Sequence, residues 1–165
     1  LIEGIREIAK ITGVDERGKE LIDVLNEKLA KAKARYDGVE KVRVLWVIQT
    51  EPLRVVGRKT FINELVVSAG GENAIGETIY MYPPISTEEL LKCGAEVIIQ
   101  SAMGTESLDK QKEQAGKFWK QYPNLPAVKN NRIYVIESDT ILRLGPRLAD
   151  GLEQIGSFLH PEIVD

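Results

Sequence analysis

The sequence predicts an α/β protein with a Rossmann-like, doubly wound parallel sheet that is preceded by one long helix. Three apolar segments, Val42–Ile48, Ala95–Gln100 and Arg132–Ile136, have the length and hydrophobicity of strands that are buried on both faces. Helical segments separate them, and strands that alternate with helices form right-handed βαβ units. The chain has 165 residues, of which 43% are hydrophobic and 28% charged, as in an ordinary folded domain.

Two helices are predicted before the first strand. Apolar side chains recur with a helical period in residues 1–12, and Gly13 is suited to end that helix. A second helix is predicted from Asp15 to Tyr36, with one apolar stripe. At 1.5 Å per residue it is about 33 Å long, the width of a small domain. A helix of that length can contact more than one structural unit.

Four further helices are predicted after the first strand. The sequence Ser86-Thr87-Glu88-Glu89 is a capping box, in which Ser86 caps the helix and Glu89 returns the hydrogen bond. Glu88 then points from the first turn with no evident partner. Pro146 suits the first position of the last helix. The predicted ranges are Thr60–Ala69, Ser86–Cys93, Ser107–Tyr122 and Pro146–Leu159.

The carboxyl ends of the strands are the predicted ligand-binding edge, because ligands of such sheets bind there. Arg54 follows the first strand and Arg143 follows the third, while Tyr80 and Tyr82 lie in a nearby loop. Guanidinium groups pair with anions and stack on rings. These residues therefore predict a cleft for an anionic or aromatic ligand.

Composition excludes several classes of function. The net charge of −3 provides no positive surface for nucleic acid, and the longest apolar run, Val44–Ile48, is far shorter than the roughly 20 residues that span a bilayer. The single cysteine, Cys93, is expected in the core and the single histidine, His160, on the surface. Together they cannot form a zinc site of the usual type, and the common signatures of nucleotide-binding and hydrolytic enzymes are absent from the sequence.

A series of individually weak motifs runs in order along almost the whole chain. Its members are Phe61–Leu65 leading into Ala69–Asn73, Ile85–Leu91, Phe118-Trp119, Leu125–Tyr134, Gly145–Arg147 and His160–Glu162. In this order and spacing the series resembles the substrate-binding proteins of ABC importers for ferric siderophores, haem and cobalamin.

The resemblance implies two α/β lobes joined by a rigid helix, with the ligand held between them. Residues 1–14 would be the end of an N-terminal lobe that this chain lacks, 15–37 the connector helix and 38–165 the C-terminal lobe. The implied protein is not an enzyme and has no cofactor of its own. It is periplasmic, or extracellular and membrane-anchored, and it delivers a metal chelate to a membrane permease.

The resemblance also implies roles for single residues. Glu88 matches the surface glutamate that pairs with arginines of the permease, and Arg147 is expected to be structural. The positions implied to face the ligand are Arg54, Tyr82, Arg143, Tyr80, Asp139 and Thr140. Two arginines favour an anionic ferric siderophore over cobalamin. No direct metal site is expected, although Tyr80 or Tyr82 could supply a phenolate to iron.

Three alternatives remain open from the sequence. Cobalamin or haem could be bound by the same scaffold. A chelatase-like enzyme of related fold would need a proton acceptor in the cleft, and the only histidine is remote from it in sequence. In a free-standing single-lobe sensor or scaffold, Glu88 would belong to an interaction patch and the two arginines would bind nothing.

Overall fold

A five-stranded, mostly parallel sheet organises the computed structural model, which describes residues 2–137 and 148–163. The strands are β1 (Val42–Thr50), β2 (Leu53–Val55), β3 (Gly71–Asn73), β4 (Val97–Ala102) and β5 (Ile133–Glu137). β4 lies between β1 and β5, parallel to both. On the other edge of β1, β3 pairs in parallel with its beginning and β2 folds back antiparallel along its end. This arrangement confirms the predicted α/β class.

Seven helices lie in the described part of the chain. They are α1 (Ile2–Thr12), α2 (Asp15–Arg35), α3 (Phe61–Ser68), α4 (Thr87–Lys92), α5 (Leu108–Trp119), α6 (Pro126–Lys129) and α7 (Leu148–Leu159), with a 3-10 turn at Pro161–Ile163. The predicted long helix and the predicted cap Ser86 are confirmed, and Thr60 and Ser107 cap α3 and α5 in the same way. None of the described helices combines the length and apolarity that a bilayer crossing requires.

The central strands are buried on both faces, as predicted for a doubly wound sheet. Along β1, Val44 and Trp46 face a core formed with α2, α3 and α7. The alternate residues Leu45 and Val47 face a second core formed with α4, α5 and α6. Because side chains of a strand alternate between its faces, one continuous apolar run supplies both cores.

The long helix α2 is fixed to the sheet-containing part of the chain at its C-terminal end. The ring of Tyr36, which caps α2, is buried directly over Gly156 of α7. A side chain at Gly156 would overlap that ring. The same ring stacks on the imidazole of His160, with 5.9 Å between ring centroids. The glycine therefore allows α2 and α7 to approach closely.

The prediction that His160 lies on the surface is wrong. Only 3% of the residue is exposed. Its Nε2 lies 3.3 Å from the carbonyl oxygen of Gly70, and its Nδ1 lies 3.4 Å from Oε1 of Glu162. After α7 the chain passes beneath the end of α2 at the amino edge of the sheet. His160 is buried only by these contacts between distant parts of the chain, and the residues next to it in sequence do not indicate its burial.

Cys93 occupies the predicted core position. It is buried at the end of α4 beside the second core. This burial raises the pKa of its thiol. The residue is a small apolar packing group rather than a reactive one.

The contact between Tyr36 and Gly156 gives a first prediction. We expect Gly156→Ala to lower the free energy of unfolding by about 1–3 kcal/mol, because the added methyl group overpacks a closed contact. Urea denaturation followed by circular dichroism measures the change. Gly116→Ala is the matched control, since a Cβ at Gly116 of α5 would meet no atom within 4 Å. Alanine there should stabilise by roughly 0.5–1 kcal/mol, and equal effects of the two variants would contradict the close contact.

Candidate functional site

An open cleft lies at the carboxyl ends of β4 and β5. It has a volume of about 430 Å³, and the described residues that line it are Ala102, Met103, Gly104, Glu106, Leu108, Gln111 and Glu137. Helices cover both faces of the sheet, so the strand ends are where polar groups can meet a ligand. The sequence predicts that ligands bind at the carboxyl ends of the strands, and this cleft lies at two of those ends.

The loop Met103–Glu106 is attached to the first turns of α5. The side-chain amide of Gln111 accepts a hydrogen bond from the Met103 nitrogen (2.9 Å) and donates one to the Glu106 carbonyl oxygen (2.9 Å). The Glu106 carboxylate accepts a hydrogen bond from Gln114 (2.8 Å) and pairs with Lys110. The hydrogen bond and ion pair with Lys110, together with the hydrogen bond from Gln114, lower the pKa of Glu106.

Sequence reasoning did not single out Gln111 or Glu106. One feature of the sequence could have drawn attention to Gln111. Gln111 lies one turn after the N-cap Ser107, and its backbone nitrogen donates to the Ser107 carbonyl oxygen. A long amide at that position can reach the loop that precedes the helix.

The backbone of this chain brings Arg54 and Tyr82 together. The segment 81–85 runs beside β2 through three hydrogen bonds between main-chain groups, which are Gly57 N to Met81 O (2.8 Å), Val55 N to Pro83 O (3.1 Å) and Ile85 N to Leu53 O (3.0 Å). Nη1 of Arg54 donates to the Tyr82 carbonyl oxygen (3.2 Å). The half-buried guanidinium group of Arg54 thus already holds the loop that carries the tyrosines.

The two tyrosines have different surroundings. Tyr82 is half-buried and packs against the first core. Tyr80 is 69% exposed, and it lies between the exposed side chains of Ile79 (94%) and Met81. We call residues 79–81 the apolar edge patch. The patch offers an aromatic ring and two aliphatic side chains to solvent, which is unusual for a surface loop.

The remaining sequence-predicted ligand residues are not placed. Asp139, Thr140 and Arg143 lie outside the described residues, and so does Arg147.

Glu88 stands on an exposed surface at the start of α4, with 75% of its side chain accessible. The expectation that it lacks a partner is wrong, because its Oε1 lies 2.6 Å from Nζ of Lys92. An exposed pair of this kind contributes little to stability and leaves the carboxylate accessible.

The predicted capping box beside Glu88 is confirmed. Ser86 and Glu89 exchange the expected hydrogen bonds, and the bonds from Ser86 lower the pKa of Glu89.

Among the described residues, the carboxylates that line the cleft are Glu106 and Glu137. Within residues 2–137 and 148–163, no three side chains of His, Cys, Asp or Glu are grouped so that they could hold a metal ion. His160 contacts Gly70 at the opposite, amino edge of the sheet.

Comparison with known families gives a match over most of the chain. A family described as "Periplasmic binding protein" matches residues 1–140. A vitamin B12-binding protein of Vibrio parahaemolyticus is 27% identical over 158 residues, which is 94% of this chain and 54% of that protein. An uncharacterized ABC transporter substrate-binding lipoprotein of Bacillus subtilis is 23% identical over 97% of this chain and 50% of its own. The chain spans about half the length of the curated relatives it matches.

Solved structures share the fold. An ABC transporter substrate-binding protein of Listeria monocytogenes superposes with a TM-score of 0.83 at 23% identity, covering 97% of this chain and 63% of that one. The periplasmic vitamin B12 binding protein of Vibrio cholerae gives 0.84 at 20% identity, over 97% and 60% of the two chains. A periplasmic haem-binding protein of Roseiflexus gives 0.82 at 23% identity, over 99% and 63%.

The hydrogen bonds to Glu106 give a second prediction, which concerns pH. A carboxylate whose pKa is lowered by folding stabilises its contacts above the unfolded value of 4.5, and this stabilisation is lost as the pH falls through the lowered pKa. Titration by NMR should therefore place the midpoint of Glu106 below 4.5. Lys110→Ala and Gln114→Ala should each raise it. Lys112→Ala, which removes a lysine that faces Asp109 on the same helix, should leave it unchanged. A midpoint insensitive to Lys110 and Gln114 would contradict the assigned contacts.

Proposed function

The chain belongs to the periplasmic binding protein family, and from that premise we propose that it forms the C-terminal lobe and connector helix of the substrate-binding component of an ABC importer. Residues 1–14 are then the end of the N-terminal lobe, 15–37 the connector and 38–165 the C-terminal lobe. The observation that carries the proposal is the family match over residues 1–140 in a chain about half as long as its relatives. The relatives are named as binding proteins, which favours binding over chelatase-like catalysis.

A second lobe is supported by the surface of the first two helices. Ile8 and Ile11 of α1 are exposed, the latter at 84%, and so are Leu21 and Val24 of α2. Residues three apart lie on the same side of a helix, so each helix presents an apolar pair to solvent. Such surfaces are normally covered by another unit. In the proposed protein the N-terminal lobe covers these side chains and supplies the other wall of the cleft.

The proposed ligand is a large metal chelate with an apolar face, and cobalamin or haem is the first candidate. The apolar edge patch supports this choice, because Ile79, Tyr80 and Met81 can pack on a macrocycle. The name of the vitamin B12-binding relative supports it as well. A ferric siderophore is the second candidate. It is favoured by Arg54 and Arg143, but Arg54 already donates to a carbonyl oxygen of its own chain. For such a ligand, the exposed Tyr80 is better placed than Tyr82 to offer a phenolate to iron.

The same proposal assigns a location and a partner. Substrate-binding proteins of this family work outside the cytoplasm with a membrane permease, and the lipoprotein relative supports an extracytoplasmic location. Glu88 is our candidate for the permease contact, because its carboxylate is exposed and bound only to a solvent-exposed lysine among the described contacts.

Ligand binding tests the proposal directly. Equilibrium dialysis of the full-length gene product should detect binding of cyanocobalamin, haemin or a ferric siderophore with a Kd of roughly 1 μM or tighter. The 165-residue chain alone should bind roughly 100-fold more weakly, since ligand pockets bury about 70–90% of a ligand's surface and one wall cannot. Trp46 and Trp119, both buried in the lobe, provide a second readout by fluorescence quenching. A full-length protein that binds none of the three ligands would contradict the proposed function.

Charge reversal at Glu88 tests the docking role. In proteoliposomes that contain the cognate permease, we expect Glu88→Arg to reduce ligand uptake at least tenfold, because it places like charges face to face. Ligand affinity should not change. Lys92→Ala is the matched control, since it removes the neighbouring charge but keeps the carboxylate, and it should transport normally. Normal uptake by Glu88→Arg would show that the permease docks elsewhere.

A further inference from the structure

The loop after β4 has little regular structure of its own. Gly104 adopts a left-handed conformation (φ +88°), and the side chain of Met103, which lines the cleft, is exposed in a residue 58% accessible to solvent. A short loop with a left-handed glycine has many alternative conformations in solution. Some additional interaction must therefore select one of them.

Gln111 makes that selection through two hydrogen bonds to the backbone. Its Oε1 accepts from the nitrogen of Met103, the first residue of the loop, and its Nε2 donates to the carbonyl oxygen of Glu106, the last one. Both distances are 2.9 Å. One side chain thus spans the two ends of the loop. The two polar ends of its amide are both used, so its orientation is determined as well.

The helix that carries Gln111 is itself held by the core. Ala115 and Trp119, one and two turns further along α5, are buried in the second core. The indole nitrogen of Trp119 donates to Oε1 of Gln100 in β4 (3.2 Å). The position of the loop therefore depends on a connected path of contacts, from β4 through α5 and Gln111 to Met103 and Glu106.

We propose that Gln111 is a positioning residue for ligand binding, which holds the Met103–Glu106 loop in its binding-ready shape before the ligand arrives. This inference rests on the proposed binding function of the cleft. A loop that is ordered in advance does not have to be ordered by the ligand, and the affinity is higher for that reason. Gln111 acts through the loop backbone, while Met103 and Glu106 present the surface of the loop.

The test uses the full-length protein and cyanocobalamin, haemin and a ferric siderophore as probes. For Gln111→Ala we expect faster amide hydrogen exchange in the segment 103–106 without ligand, and about tenfold weaker binding of whichever probe the wild type binds. The thermal unfolding midpoint should be nearly unchanged, because the two lost hydrogen bonds are exposed. Gln121→Ala is the matched control. It removes a glutamine hydrogen bond to Phe118 beyond the far end of α5 and should alter neither loop exchange nor affinity.

Two conservative variants separate positioning from a general loss of stability. Gln111→Glu keeps the acceptor for Met103, and Gln111→Lys keeps a donor for the Glu106 carbonyl oxygen. Each should restore part of the affinity and part of the exchange protection. The inference is overturned if Gln111→Ala binds as tightly as the wild type, or if affinity falls only in step with the unfolding midpoint and neither variant restores it. A wild type that binds none of the probes overturns the proposed function instead, together with this role for Gln111.

Discussion

Burial of β1 and β4 on both faces is the constraint on which the other features depend. Val44 and Trp46 need helices on one side of the sheet, and Leu45 and Val47 need helices on the other. Two covered faces leave the strand ends as the places where loops meet solvent. The cleft therefore lies at the carboxyl ends of β4 and β5.

The amino edge of the same sheet has a structural role. Tyr36, Gly156 and His160 pack together there, and His160 approaches the backbone of Gly70. These contacts tie the end of α2 to α7 and to the segment that leads into β3. The start of α2, by contrast, carries exposed apolar side chains. In the proposed two-lobe protein, α2 is the helix that joins the lobes.

Several polar side chains near the candidate site form hydrogen bonds to main-chain atoms of the loops. Arg54 binds the Tyr82 carbonyl oxygen, and Gln111 binds both ends of the Met103–Glu106 loop. Polar groups used in this way order the loops before any ligand is bound. Tyr80 and Met81, in the loop that Arg54 holds, expose apolar side chains to solvent.

The elements that have a local signal could be predicted from the sequence. Three buried strands, the long helix α2 and the capping box at Ser86 were predicted because apolar periodicity and capping are properties of neighbouring residues. The pair Glu88–Lys92 has the i, i+4 spacing of a helical ion pair. This ion pair could therefore have been predicted from the sequence, but it was not. Asp139, Thr140 and Arg143 remain predictions.

Tertiary structure alone decided the rest. β2 and β3 have three residues each and α6 has four, too few to show a period, and the two strands exist because β1 supplies their hydrogen-bond partners. His160 is buried because the end of α2 and the backbone of Gly70 pack against it. In each case the deciding contact joins residues that no local pattern connects, because the energy comes from groups brought together by the fold.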